Sequence, residues 1–466
     1  MNWVKSLLNK VFHRKDDISP IRKGLNDEEI DRAYVRIFFF LLNDCLGNPA
    51  AARENYKTLK ENFPYFANNV KIDAGPFSRY AGVLFREMDR NRDWQEGIDF
   101  LNMAASLREQ SETDKLESYL WLSKFHSQMP DYDQAVSFGK KSIELSKGLG
   151  NDSSLKIALP RLARVYRSMG NYEEAIDYYN QTIEITLRDD DKEEAAHAYA
   201  SIGLAYWHVN EYEKSLETSQ IAQVMLLRLG NEERTGHTFN NMALVYTDLG
   251  LYDEALALFE KALVVAKKRN DEREAALIEG NIGRTYYFLD KYDPALRYLK
   301  KIIPVMRKFS IYRLAKVNAQ IAQVYHSKAQ NNETLEIALN YAKEAYEIAL
   351  QTRMTHFEIM GSSYKARVLK DLSRTDEAVS YSKNAVSLLD AVKAFDGNEE
   401  EIYFNHYLIL KDVDPAAAQT SLQKSLRDMQ AKLEKIINPD FRKSFLNTRL
   451  HKQILYEARE LPDTSK

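Results

Sequence analysis

Five tyrosines recur at a fixed interval of 40 residues, and this spacing constrains the fold more than any other feature of the 466-residue chain. They are Tyr132, Tyr172, Tyr212, Tyr252 and Tyr292. Self-similarity at a fixed period of this length is the signature of an array in which each repeat stacks on its neighbours. The chain is therefore predicted to be a repeat array rather than a set of separate globular domains.

Small residues keep the same register as the tyrosines. One column of small residues follows the tyrosines by three positions and comprises Ala135, Ala175, Ser215, Ala255 and Ala295. A second column lies upstream and comprises Ser123, Ala163, Gly203, Ala243 and Gly283. Within one unit, apolar residues at helical spacing stop at Gly170-Asn171 and then resume. Each unit is thus predicted to be two antiparallel helices that the small residues allow to approach closely.

The segment FNNMALVYTDLGLYDEALALFEKAL (Phe239–Leu263) resembles the tetratricopeptide repeat (TPR) family in its order of small, Tyr, Gly, Tyr, Ala, Phe and Ala. The match covers Leu116–Lys308 closely. The 40-residue unit is similar to the branch found in kinesin light chains, bacterial peptide-pheromone receptors and TPR regions of bacterial signalling proteins. This resemblance implies an all-α fold, a right-handed superhelical solenoid of about nine antiparallel helix pairs with a C-terminal capping helix pair.

The register divides the chain into successive segments. We predict a basic amphipathic helix in residues 1–15, degenerate helix pairs in 16–110, five regular repeats in 111–310, two divergent repeats in 311–395, and capping helices with a tail in 396–466. The tail is predicted as two helices divided at Asn438-Pro439. Terminal units of a solenoid are atypical because they must cap the stack.

The N-terminal helix differs from the rest of the chain. Its apolar face comprises Trp3, Leu7, Leu8, Val11 and Phe12, and its other faces carry Lys and Arg without any acid. Such a helix lies in a membrane interface or docks into a groove. The alternatives are a helix that covers the end of the solenoid or a frayed terminus. Its apolar residues are interrupted by Lys and Asn, which argues against a secretion signal.

Composition excludes several classes of function. The near-neutral balance of 65 Lys and Arg against 68 Asp and Glu gives no global reason to expect nucleic acid as a partner, because that would require a concentrated basic face. A single cysteine, Cys45, excludes a disulfide framework and fits a reducing cytoplasm. No motif for phosphate binding, zinc hydrolysis or nucleophilic catalysis is found, so neither an enzyme nor a cofactor is expected. We expect a cytoplasmic protein whose N-terminal helix is the candidate membrane contact; the oligomeric state stays open.

The resemblance also implies where a ligand binds, because in TPR proteins the first helix of each pair lines the concave surface. Projecting the family pattern onto this chain selects Arg164, Arg167, His197, Trp207, His208, His237, Asn240, Asn241, Asp248, Asn281, Arg284, Tyr287 and Phe288. Arg binds carboxylates through paired hydrogen bonds, and aromatic rings cover apolar side chains. The Lys residues of the family's carboxylate clamp are absent here. The alternative is that these side chains only solvate the inner wall.

Three functions remain open at this point. The first is a scaffold that binds a peptide or helix of a partner protein in the concave groove. The second is a peptide-responsive regulatory sensor. The third is a membrane-peripheral adaptor attached through residues 1–15.

Overall fold

The structure is a computed structural model that describes only part of the chain. The described residues are 56–57, 60, 84–86, 88–89, 93–107, 111–129, 131–392, 395 and 397–459. The predicted N-terminal helix, with Trp3, Leu7, Leu8, Val11 and Phe12, lies outside the described residues, as does most of segment 16–110. The regular structure of the described residues is helical throughout, which confirms the predicted all-α class.

Twenty helices, numbered α1 to α20 in chain order, occupy the described residues. Helices α1 to α7 span Trp94–Leu107, Glu112–Gln128, Tyr132–Gly148, Asp152–Ser168, Tyr172–Arg188, Lys192–His208 and Tyr212–Arg228. Helices α8 to α14 span Glu232–Asp248, Tyr252–Lys268, Glu272–Phe288, Tyr292–Lys301, Ile303–Phe309, Ile311–Lys328 and Asn332–Thr352. Helices α15 to α20 span Thr355–Asp371, Thr375–Ala391, Glu399–Leu410, Pro415–Lys435, Pro439–Leu446 and Arg449–Ala458.

The helices belong to two compact units, Met1–Ile185 and Thr186–Lys466. In the first unit, α2 packs against α3 and α3 against α4. In the second unit the antiparallel pairs are α6 with α7, α8 with α9, α10 with α11 and α12, α13 with α14, α15 with α16, and α17 with α18. This sequential pairing is the TPR-like stack that the sequence predicts. Within the described ranges, no helix is both long and apolar enough to span a bilayer.

Helix starts in the stack repeat with the same 40-residue period. The caps are Ser111, Asn151, Asp191, Asn231 and Asp271, and each side chain accepts a hydrogen bond from the backbone N–H three residues later, at 2.9–3.2 Å. Each cap satisfies one of the N–H groups that a helix start leaves without an internal partner. The period therefore specifies where helices begin as well as what they bury.

The small residues permit the close helix contacts that the sequence predicts. The Ser215 hydroxyl on α7 donates to the Gly203 carbonyl of α6 at 2.7 Å. A Cβ atom on Gly203 would lie 2.4 Å from the Ser219 hydroxyl, which leaves no room for a side chain. In the first unit, the Tyr166 and Tyr178 rings stack with their centroids 5.5 Å apart. These contacts confirm that small side chains and tyrosines pack together between paired helices.

The C-terminal segment differs from the prediction of two capping helices divided at Asn438-Pro439. It contains three helices after residue 414, because a second break occurs at Asn447-Thr448. The Thr448 hydroxyl caps α20 by accepting from the His451 backbone N–H at 3.3 Å. In addition, α17 pairs with α18 and so extends the stack by one pair. The predicted division at Asn438-Pro439 is present, and the segment contains one helix more than predicted.

These C-terminal helices return to the beginning of the second unit. Phe445 of α19 and Ile454 of α20 are buried in one apolar cluster with Leu216 of α7 and with Val245 and Leu249 of the α8 region. Since each buried aliphatic or aromatic side chain contributes about 1.5–3 kcal/mol, the cluster provides a substantial driving force for this docking.

Polar contacts hold the same interface in register. The Lys435 ammonium donates to the Val209 carbonyl at 2.8 Å. The backbone N–H groups of Ile437 and Asn438 both donate to one carboxylate oxygen of Glu213, at 2.8 and 3.0 Å. The concave side of the second unit is thus partly closed by its own C-terminal helices, whereas the sequence indicated an open groove.

Candidate ligand chamber

The first helices of the pairs in the second unit surround a cavity of about 390 Å³, which we call the chamber. Its wall comes from α6, α8, α10, α13, α15 and α17, with Lys432 of α18. The predicted residues that line it are Trp207, His208, Asn240, Asn241, Asp248, Asn281, Arg284 and Phe288. Its volume is within the usual range of ligand pockets, about 300–1,000 Å³.

A second cavity of about 310 Å³, which we call the side cavity, adjoins the chamber. The two share wall residues, among them Asp248, Gln323, Tyr364 and Glu401. The side cavity extends to α20, which contributes Arg449. The C-terminal helices therefore complete a binding space that the regular repeats begin.

Amide side chains form the most distinctive part of the chamber wall. The Asn281 side-chain amide donates to the side-chain oxygen of Asn240 at 3.0 Å, which links α10 to α8. Asn241 and Gln320 are half-buried, and neither side chain forms a hydrogen bond with any described residue. A side-chain amide both donates and accepts, so these two groups match the N–H and C=O groups of a peptide backbone.

A charged and aromatic group lies beside the amides. The Trp207 indole N–H donates to Asp248 at 2.8 Å, and the Arg284 guanidinium lies 3.5 Å from the other oxygen of that carboxylate. The same guanidinium lies 5.0 Å from the centre of the Phe288 ring. Asp248 thus contacts Trp207 and Arg284, and Arg284 contacts Phe288, so the four side chains are held in a preorganised set.

Two segments of the chain, residues 153–220 and 234–308, match the family model of the tetratricopeptide repeat. These residues are tetratricopeptide repeats. No protein of curated function matches the chain in sequence. The TPR segments supply α6 to α11 of the second unit, and with them Asn240, Asn241, Asn281 and Asp248 of the chamber, whereas Gln320 lies on α13 beyond them.

Solved structures share this fold at low sequence identity. A Rap protein complexed with competence and sporulation factor is 14% identical over 77% of this chain and 98% of its own, with a TM-score of 0.55. The apo quorum sensor NprR from B. thuringiensis is 14% identical over 77% and 99%, with a TM-score of 0.54. The Rap conjugation gene regulator of the plasmid pLS20, in complex with a Phr peptide, is 13% identical over 75% and 94%, with a TM-score of 0.51. These likenesses show the fold.

The projection of the TPR pattern predicted that the Tyr287 side chain points outward, but it does not. Its side chain is buried, and the Arg449 guanidinium lies 4.6 Å from the centre of its ring. Its hydroxyl lies 3.3 Å from that of Ser327, and burial raises its pKa to about 12. Tyr287 therefore packs the C-terminal helices against the repeats, although it also lines the side cavity.

Trp207 also has a structural partner that the sequence did not reveal. Besides its bond to Asp248, it packs against the C-terminal cluster that contains Phe445 and Ile454. A large aromatic on a polar face needed an explanation, and this packing supplies it without a ligand.

Four predicted residues line neither the chamber nor the side cavity. His197 lies 3.3 Å from Glu194, and His237 lies 3.3 Å from Glu274. The hydrogen bond to Glu274 is the main reason that the pKa of His237 is raised. Arg164 and Arg167 belong to the first unit, where Arg164 is exposed and Arg167 half-buried.

Glu401 is a chamber residue that the sequence analysis missed. It lies on α17, and its carboxylate accepts from the Gln323 amide at 2.5 Å and from the Tyr364 hydroxyl at 3.2 Å. Burial raises its pKa, although the Arg284 guanidinium and the Tyr364 hydroxyl partly oppose this effect. The repeat pattern could not select this residue because α17 lies beyond the regular register.

A buried ion pair ties the chamber wall together. Glu400 is 1% exposed, and the Lys432 ammonium lies 2.7 Å from its carboxylate. His451 of α20 lies 3.5 Å from the other oxygen. Burial alone would raise the pKa of Glu400, but Lys432 and His451 outweigh it and lower that pKa to about 2. Glu400 of α17 therefore contacts Lys432 of α18 and His451 of α20, and its ionised carboxylate holds the three helices together.

Proposed function

We propose that the protein is a non-catalytic interaction module whose chamber binds a short peptide segment of a partner protein. The observation that carries this proposal is the pair of half-buried amides, Asn241 and Gln320, without hydrogen-bond partners among the described residues. A hydrogen bond from each of these amides to a ligand backbone would contribute about 0.5–1.5 kcal/mol. Trp207 and Phe288 add the aromatic surface that anchors apolar side chains at binding sites.

The similar structures support the same proposal. A Rap protein is complexed with competence and sporulation factor, and the plasmid regulator is in complex with a Phr peptide. TPR proteins are interaction modules, and the chamber lies among first helices of consecutive pairs, where the resemblance implied a ligand surface.

Site-specific photo-cross-linking tests the proposal. A photoreactive phenylalanine analogue would replace Asn241 or Gln320 in the full chain, and Gln220 of α7 or Gln423 of α18 in matched controls, since both controls are exposed glutamines outside the chamber wall. We expect cross-linked peptides or proteins from the native cell at the two chamber positions and not at the controls. Equal adducts at all four positions, or adducts at the controls alone, would refute the chamber assignment.

A second function, a peptide-responsive sensor, is favoured by one observation. The chamber wall combines TPR helices with α17 and Lys432 of the C-terminal segment. A ligand that contacts α8 and α17 together would strengthen the docking of the C-terminal helices, because binding to the docked state stabilises it. Scattering curves with and without a captured peptide would test this; an unchanged radius of gyration and unchanged amide exchange of residues 415–458 would contradict it.

A further inference from the structure

Arg367 is an arginine that the fold leaves without an anion. It lies on α15 and lines both the side cavity and a neighbouring surface cavity formed with Phe404, Leu408 and Lys452. The side chain is half-buried, yet it forms no hydrogen bond or ion pair with any residue that the structure describes. All five N–H groups of this guanidinium are therefore available to a ligand in the cavities.

The nearby carboxylates are engaged elsewhere. Asp371 lies one helical turn from Arg367 on α15, and its carboxylate is 2.7 Å from the His326 ring. Glu401 accepts from Gln323 and Tyr364, as described above. The acids that line the side cavity, Asp248 and Glu401, therefore already have donors, whereas the Arg367 guanidinium has no acceptor among the described residues.

The other arginine of the side cavity shows the contrast. Arg449 donates to Asp290 and to the Tyr292 hydroxyl, and it lies over the Tyr287 ring. Burial lowers the pKa of Arg367, although Asp371 partly opposes this effect. The guanidinium of Arg367 thus bears the cost of lost hydration without the compensation that Arg449 receives.

We infer that the side cavity accepts an oxyanion of the bound peptide at Arg367, in the form of an Asp or Glu side chain, a free carboxyl terminus or a phosphorylated residue. A guanidinium presents two parallel N–H groups that match the oxygens of a carboxylate or a phosphate. The hydroxyls of Ser327 and Thr448 line the same cavity and supply further donors. The volume of about 310 Å³ accommodates one such side chain with a few waters. This inference rests on the proposed peptide-binding function.

Selection from random peptide libraries tests the inference with the full chain. Separate libraries would carry free acid ends, amidated ends or phosphoserine, and the proteins would be the native chain, Arg367→Met, and Arg297→Met as the control. Arg297 is an exposed arginine on α11 outside both cavities. We expect enriched peptides to carry an anion at one position, and their affinity to fall about 10-fold or more in Arg367→Met but not in Arg297→Met.

The outcomes separate the two proposals. Enrichment without an anion preference, with equal affinities for native chain and Arg367→Met, overturns the inference and leaves peptide binding intact. No enriched peptide from any library counts against peptide binding itself, and the inference fails with it. If the anion preference disappears in the library with amidated ends, the bound anion is the carboxyl terminus of the peptide. If peptides are enriched only from the phosphoserine library, the bound anion is a phosphate.

Thermal unfolding provides a readout that needs no ligand. If Arg367 serves an external anion, its replacement by Met removes an unpaired charge and leaves the unfolding temperature unchanged or higher. If Arg367 instead supports the fold, Arg367→Met lowers that temperature relative to Arg297→Met, and the inference is refuted.

Discussion

Replacement of Glu213 by Ala tests how the C-terminal helices are held. Glu213 lies in the first turn of α7, where its carboxylate oxygen accepts the backbone N–H groups of Ile437 and Asn438. Asp253 occupies the equivalent position of α9, one 40-residue period later, and accepts no hydrogen bond from the described residues. Asp253→Ala is therefore a matched control that removes a first-turn acid alone.

The magnitude follows from the contacts that differ. Both substitutions remove an acid near a helix N-terminus, which contributes about 0.3–1 kcal/mol. Only Glu213→Ala also removes two hydrogen bonds to a charged acceptor, which contribute about 1.5–3 kcal/mol each when buried. Because this site is exposed, we expect about 1.5 kcal/mol for the pair, equivalent to about a tenfold change in a local opening constant.

Hydrogen exchange followed by mass spectrometry measures this opening. Backbone amides of α19 and α20 should exchange about tenfold faster in Glu213→Ala than in the native chain, and near the native rate in Asp253→Ala. Equal exchange of these helices in the two variants would refute the reasoning, because the Glu213 contacts would then contribute nothing to docking.

Further predictions address other parts of the second unit. Gly250 and Gly230 both have a positive φ, +80° and +66°, so alanine is strained at either position. A Cβ at Gly250 would also lie 3.0 Å from the Ser444 backbone oxygen of α19, whereas a Cβ at Gly230 would meet nothing. Gly250→Ala should therefore lower the urea midpoint of unfolding more than Gly230→Ala. Lys432→Met removes the ammonium that pairs with the buried Glu400 carboxylate and should destabilise the unit by about 3–5 kcal/mol, measured by urea unfolding. The pKa of Glu400 is lowered to about 2, so the ionised carboxylate stabilises the fold fully above the ordinary pKa of 4.5, and this stabilisation is lost as the pH falls from 4.5 towards 2. Glu400→Gln should remove this part of the acid sensitivity when unfolding is measured over a range of pH. Liposome flotation should show less binding to anionic vesicles for a chain that lacks residues 1–15; equal flotation would contradict the membrane-adaptor hypothesis.

Local features of the fold were predictable because their causes lie close together in the sequence. The period of 40 placed the second helices at Tyr132 and its successors, and the small residues correctly indicated tight pairs. The cap column that includes Asn151 and Asp191 has the same period, so the sequence also contains a signal for helix starts.

The return of the C-terminal helices was not predictable in this way. The contact between Glu213 and Ile437 joins residues 224 positions apart, and no periodicity relates the two segments. The TPR pattern therefore placed Tyr287 and Trp207 on a free surface, although the returning helices supply their partners. Glu401 was missed for the same reason.

The chamber depends on the docking of the C-terminal helices against α6 and α7, and cross-linking examines that contact. Val209→Cys and Lys435→Cys would be introduced together in a Cys45→Ser chain, since the Lys435 ammonium donates to the Val209 carbonyl at 2.8 Å. A short bismaleimide should join the two cysteines within one chain, as shown by a cross-linked peptide pair in mass spectra. If each cysteine reacts with a monofunctional maleimide but the pair never cross-links, the C-terminal helices do not close the chamber.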